Sequence, residues 1–196
     1  MRAVEIETEY SERLEERRDP DGDFYGTVRF LLGLTAVFLA FVAIFTNVLI
    51  GVRVSGDSMN PTLHSGDYLF IYAWGEPDYG DIVVFEHGNE EYIKRVVGLP
   101  GDTVWAEDGV LWRAGADGQP HTVEEPYIIE GWTGDIRPTE VPEGCMYVLG
   151  DNRVNSTDSR SFGPVDMELL SGVVTGWSLS ARSSITRIMD FITFRW

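Results

Sequence analysis

From Phe30 to Val52 the chain runs 23 residues without a charged side chain, bracketed by Arg29 and Arg53. Crossing a hydrocarbon core of roughly 30 Å takes about 20 helical residues, so this run is long enough to span a bilayer. A cleaved signal peptide fits poorly, because the run is too long and no Ala-x-Ala follows it. We therefore expect a retained anchor over residues 27–52. Arg17, Arg18 and Arg29 precede it, against Arg53 alone just beyond. This bias predicts a single-pass cell-membrane protein with residues 1–26 as a cytoplasmic tail and residues 53–196 outside. The tail carries nine acidic and four basic side chains, with turn chemistry at Asp19-Pro20-Asp21-Gly22-Asp23 that should end any helix there.

Beyond the anchor the pattern changes period. Tyr68–Trp74, Ile82–Glu86 and Tyr92–Gly98 are short β-branched or aromatic runs separated by turn residues such as Gly75-Glu76-Pro77-Asp78 and His87-Gly88-Asn89. Asp102–Trp105 and Val110–Arg113 flank Asp108-Gly109, a hairpin signal. Met146–Leu149 and Val173–Leu179 resume as strands. Residues 114–142 are rich in Gly, Pro and acid with weak periodicity and read as a long insertion away from the core, the later part of an insertion over residues 103–142. The end of the chain mixes Trp177, Leu179, Ile185, Ile188, Met189, Phe191, Ile192, Phe194 and Trp196 with Arg182, Arg187 and Arg195. Residues 180–196 are too charged to span and too greasy to be simply solvated, so they read as a membrane-interfacial segment touching lipid. The predicted fold class is mainly β, an antiparallel β-sheet domain with one N-terminal transmembrane helix.

Composition narrows the function. The chain has 32 Asp plus Glu against 15 Lys plus Arg, a net charge of −17. Nucleic acid is excluded as a partner, since phosphate neutralisation needs a basic stripe. One cysteine, Cys145, rules out an intrachain disulfide and reads as a small core residue; with no Cys/His cluster, neither a metal site nor a cofactor is expected. Asn155-Ser156-Thr157 has the form of a glycosylation sequon, which we read as coincidental.

Lys94 stands out against that background as the only lysine in 196 residues. Arginine stays protonated and cannot act as a base, whereas a lysine held neutral can. Lys94 lies in the β-branched run Tyr92, Ile93, Val96, Val97, where desolvation can lower its pKa. Ser58 sits between Gly56-Asp57 and Met59-Asn60-Pro61, in a turn that can present a hydroxyl beside exposed N–H groups, as an acyl-transfer nucleophile requires. A Ser-His-Asp arrangement would need His64, His87 or His121, which lie too close in sequence or in polar loops. Lys94 is the better base.

Gly56 to Leu63, Ile93 to Asp102, and Gly150-Asp151-Asn152-Arg153 through Ser156-Thr157-Asp158-Ser159-Arg160 to Val165 resemble the signature boxes of bacterial-type signal peptidase I, in family order. The resemblance implies a membrane-bound serine endopeptidase that removes signal peptides from secretory preproteins. On matching positions Ser58 is the expected nucleophile, Lys94 the general base, Ser156 the hydroxyl that orients the lysine, and Asp158 with Arg160 a supporting pair. The Ser58 amide is the expected oxyanion donor; the second side-chain donor of some relatives falls on Gly56. The resemblance also implies substrate lying extended between residues 52–56 and 91–94, with Val54, Ser55, Gly56, Asp57, Met59, Tyr92 and Ile93 as contacts and a preference for Ala-x-Ala. Two other readings compete. Self-cleaving SOS repressors use a similar Ser–Lys pair, but the anchor and the missing DNA-binding domain oppose them. A catalytically dead peptide-binding β module is opposed by Ser58, Lys94 and Ser156 occurring together.

Overall fold

The computed structural model describes residues 20–128 and 132–193. Most of the expected tail, and Phe194, Arg195 and Trp196 of the expected interfacial segment, lie outside the described residues. The chain divides into two compact units, residues 1–46 and 47–196.

Helix α1 spans Pro20–Val48 and contains a 20-residue stretch, Phe24–Ala43, long and apolar enough to cross a membrane. The helix begins inside the expected tail, because proline is well tolerated at a first helical position. It also ends earlier than the apolar run. Leu49–Arg53 leaves the expected anchor of residues 27–52 and becomes strand β1. Its register against β2 (Tyr68–Tyr72) runs from Leu49↔Tyr72 to Arg53↔Tyr68, so an apolar run alone could not mark where helix gives way to sheet.

The second unit is mainly antiparallel β. Its further strands are β3 (Ile82–His87), β4 (Glu90–Gly98), β5 (Thr103–Glu107), β6 (Val110–Ala114), β7 (Pro120–Thr122), β8 (Ile136–Glu140), β9 (Cys145–Leu149), β10 (Val165–Asp166) and β11 (Leu170–Val174). Seven form a large sheet in the order β1-β2-β11-β3-β4-β9-β10, and four a small one, β7-β6-β5-β8. Both faces of the large sheet are covered. Alternate residues of β3 go to opposite cores, Ile82 and Val84 to one with Met59, Leu63 and Ile71, and Val83 and Phe85 to the other with Val96 and Val148. Asp108 and Gly109 take the positive φ values, 51° and 78°, that join β5 to β6 as the hairpin signal requires.

Two expectations fail here. Residues 114–142 do not all lie away from the core. Ile136 and Val141 of that stretch, with Val104, Ala106 and Leu111 before it, are buried with Val97, Tyr147 and Leu149 of the large sheet. Gly98 marks the contact, because a Cβ there would collide with Val104. The final strand also stops at Val174, and Gly176–Thr193 is a helix. Ser178 Oγ donates to the Phe70 and Thr175 carbonyls, turning the chain out of the sheet. We number the helix at Ser159–Phe162 α2 and this last helix α3. Thr186 Oγ accepts from the Tyr68 amide and Trp177 stacks on Phe70, docking α3 on β2, while Ile188, Phe191 and Ile192 stay exposed.

Candidate active site

Lys94 lies on β4 opposite Val83 of β3, one residue before β4 begins to pair with β9 at Arg95↔Leu149. Residues 90–94 therefore carry a sheet neighbour on one side only, and the loop after β1 fills part of the gap. That loop is pinned by Met59 and Leu63, which are 1% and 0% exposed, and by Leu63 N–H donating to the Met59 carbonyl. Ser58, just ahead of these anchors, is half-buried and meets the lysine. Lys94 Nζ is 2.8 Å from Ser58 Oγ and 2.7 Å from the Ile93 carbonyl, with the Tyr92 ring 5.5 Å away.

Burial pushes the Lys94 ammonium down to about 8, against the pull of the Asp158 and Asp151 carboxylates. At 3% exposure the residue is out of water, and a buried ammonium is disfavoured relative to the amine. Burial also raises Asp158, but the Arg160 guanidinium and the Gly150 amide outweigh it and hold this carboxyl below the usual range. Arg160 Nε and Nη2 donate to Asp158 at 2.7 and 2.8 Å, and Gly150 N–H donates at 3.0 Å.

The third box grips the first through its main chain. Asn152 N–H donates to the Ser58 carbonyl at 3.0 Å, and Asn152 Nδ2 to the Asp57 carbonyl at 3.1 Å. Gly150 is required there, since a Cβ would run into the Ser58 carbonyl and the Ser156 side chain. Beside this contact opens a cleft of about 760 Å³, walled by residues 52–58 on one side and 90–94 on the other.

A sequence profile of the family described as signal peptidase, peptidase S26, matches residues 27–177. Signal peptidase I of Bacillus licheniformis is 42% identical over 136 residues, covering 61% of this chain and 70% of that protein. Signal peptidase I of Bacillus caldolyticus is 41% identical over 141 residues, 62% of this chain and 74% of that protein. A crystal structure of a signal peptidase I from Enterococcus faecalis V583 aligns at 31% identity and a TM-score of 0.44, over 52% of this chain and 98% of that one. The chain belongs to the signal peptidase S26 family.

The family is one of serine endopeptidases that remove signal peptides, and an N-terminal apolar helix is consistent with a membrane-anchored member. Within this signal peptidase the structure brings Ser58 and Lys94 together, as well as Asp158 and Arg160. It does not bring Ser156 to the lysine. Ser156 Oγ is buried with no well-formed hydrogen bond among the described residues, though it lies near enough to Asp158 to favour its anion. Val54, Ser55, Gly56, Asp57, Tyr92 and Ile93 line the cleft, and so do Glu90, Glu91, Asn155 and Thr157. Met59 does not. Its side chain points into the core, as expected of an apolar residue that anchors a turn. Cys145 is half-buried at the start of β9, packed against the core between the sheets.

The sequence reading missed the charges that hold the third box. Arg95 makes a bidentate pair with Asp151 at 2.8 and 2.6 Å, both side chains buried. Arg153, also buried, pairs with Glu125. Arg95 and Arg153 sit inside the quoted boxes, and their only signal was being charged beside apolar neighbours. Glu125 carried none, because its partner is 28 residues away.

Proposed function

We propose that this signal peptidase cleaves secretory preproteins by Ser–Lys acyl transfer. Supporting this above all is the 2.8 Å approach of Lys94 Nζ to Ser58 Oγ with the amine buried. A neutral Lys94 takes the Ser58 proton as Oγ bonds to the scissile carbonyl carbon. The oxyanion accepts from the Ser58 amide. As the intermediate collapses, Lys94 delivers its proton to the departing amine and an ester remains on Ser58. Water then gives its proton to Lys94, attacks the ester, and releases the signal peptide while Ser58 regains its hydrogen. Asp158 and Arg160 act as a supporting pair, and Ser156 is the hydroxyl that orients Lys94 in the reacting complex.

The signal peptide lies extended between residues 52–56 and 90–94, adding main-chain hydrogen bonds to strand edges, with small side chains one and three residues before the cut. Ser55, Gly56 and Asp57 are exposed along one wall. In the chain the first box follows the apolar run within a few residues, which suits a substrate held in the bilayer. The topology is single-pass with the N-terminus cytoplasmic, and the exposed Trp177, Ile188, Phe191 and Ile192 of α3 contact lipid. The deciding experiment incubates the purified full chain, in detergent, with a precursor bearing an Ala-x-Ala site. Cleavage at that site is expected from wild type and none from Ser58→Ala. Equal cleavage by the two would end the Ser–Lys reading.

A further inference from the structure

Three arginines converge on the loop at residues 150–153 that grips Ser58. Arg95 holds the Asp151 carboxylate, Arg153 Nε donates to the Gly150 carbonyl at 3.0 Å, and Arg160 Nη1 donates to the Arg153 carbonyl at 2.6 Å. Arg160 has Asp158 for its charge, inside the same box. The other two draw support from the connection between β7 and β8, which belongs to the small sheet. Glu125 accepts from both terminal nitrogens of Arg153. Tyr127 places its ring 3.9 Å from the Arg95 guanidinium carbon and donates its hydroxyl to Glu125 at 3.1 Å. The side chains of Arg153 and Glu125 are 1% and 6% exposed, so neither charge has water to fall back on.

We infer that Glu125 is a positioning residue for Ser58, acting through Arg153 and the Gly150 carbonyl, with Tyr127 setting the carboxylate. This inference rests on the Ser–Lys reading above. Removing the Glu125 charge leaves a buried guanidinium without a carboxylate, which is far more costly than leaving it paired, so Arg153 must reorient towards water. The Gly150 carbonyl then loses its donor. Two residues further on, Asn152 is the group whose N–H holds the Ser58 carbonyl. Displacing a reacting atom by about 1 Å costs on the order of 100-fold in rate. Lys94 is spared, because burial is the main cause of its lowered pKa and its own hydrogen bonds go to Ser58 Oγ and the Ile93 carbonyl, not to residues 150–153.

The test compares wild type, Glu125→Gln, Tyr127→Phe and the exposed neighbour Glu124→Gln as full chains in detergent. Turnover is expressed per active site, titrated with a serine-directed acylating probe. Glu125→Gln is expected to lower kcat per titrated site about 10- to 100-fold, leaving KM within about twofold and the pH midpoint of kcat in place. Tyr127→Phe should lower kcat less, about threefold, and Glu124→Gln should leave it unchanged. A purely structural role would reduce the titre and the thermal midpoint while kcat per site stayed at the wild-type value, and that result would overturn the inference. So would a Glu125→Gln enzyme with full kcat. If Glu125→Gln does not fold, Tyr127→Phe and Glu125→Asp decide: reduced kcat per site in both sustains the inference, and wild-type kcat in either overturns it. Failure of the Ser–Lys reading looks different, because Ser58→Ala would then still cleave.

Discussion

The two sheets of the β domain divide the labour unevenly. The large sheet and its loops carry Ser58, Lys94 and both walls of the cleft. The small sheet carries none of these, yet it shares a buried core with Val97, Tyr147 and Leu149 and sends Glu125 and Tyr127 to the arginines behind the site. The proposed reacting groups therefore sit where a strand edge is left open, while one of the carboxylates behind them, Glu125, comes from a sheet that carries neither. An element without motif residues still bears on the site, because buried charges must be paired wherever the partner comes from.

The sharpest break should come from the lysine. Lys94→Met and Lys94→Arg are both expected to lower kcat/KM by at least about 1,000-fold, since arginine keeps the charge but cannot release its proton. Preserved turnover in Lys94→Arg would remove the residue from the base role. In wild type, kcat/KM should rise with pH and level off above about 8, where Lys94 loses its proton. The same pKa has a stability sign. Folding lowers it from 10.5 to about 8, so between those values the unfolded chain binds more protons than the folded one. Stability should rise across that window, by about 3 kcal/mol, and the penalty should be fully present below it. Lys94→Met, measured by denaturant unfolding at pH 7 and pH 10.5, should lose that rise; an unchanged slope would contradict it.

Next comes the seam between the boxes. Gly150→Ala places a methyl group against the Ser58 carbonyl and the Ser156 side chain, so it should cost about 1–3 kcal/mol and reduce kcat at least about tenfold. Wild-type activity in this variant would mean that the loop yields without moving Ser58. Leu111→Ala tests the small sheet alone. It should cost about 2–5 kcal/mol through the cavity it leaves, with one unfolding transition and an unshifted pH profile. Two separate transitions would show that the sheets do not share one cooperative core.

The smallest effect is expected at Gly56. Its φ of +83° lies where a side chain is strained, so Gly56→Ser should lose about 1–2 kcal/mol of stability and gain no turnover. A serine there would supply a hydroxyl only by first distorting the wall of the cleft. Increased kcat would show that the strain is tolerated and that a second oxyanion donor was wanting.

What the linear pattern carried was local or repeated. Short β-branched and aromatic runs bounded by turn residues marked β2, β3 and β4, and Asp108-Gly109 marked the hairpin, because strand propensity and turn geometry are properties of neighbours. A lone lysine in a β-branched run pointed to Lys94, and three boxes in order pointed to the family. The end of α1 was not legible, since Leu49–Val52 is as apolar as the helix before it and only pairing with β2 makes it a strand. Nor was the place of Met59, which shares a box with Ser58 but faces the core. Lys94 and Ser58 are 36 residues apart, Glu125 and Arg153 28, and Asp57 and Asn152 95. Contacts at such separations leave no periodic trace in the chain. Burial, which lowers the Lys94 pKa and makes an unpaired Arg153 intolerable, is set by what the whole fold packs around a residue. The tertiary structure alone decided which groups share one low-dielectric space, and with it the protonation of Lys94 and the pairing of its supporting charges.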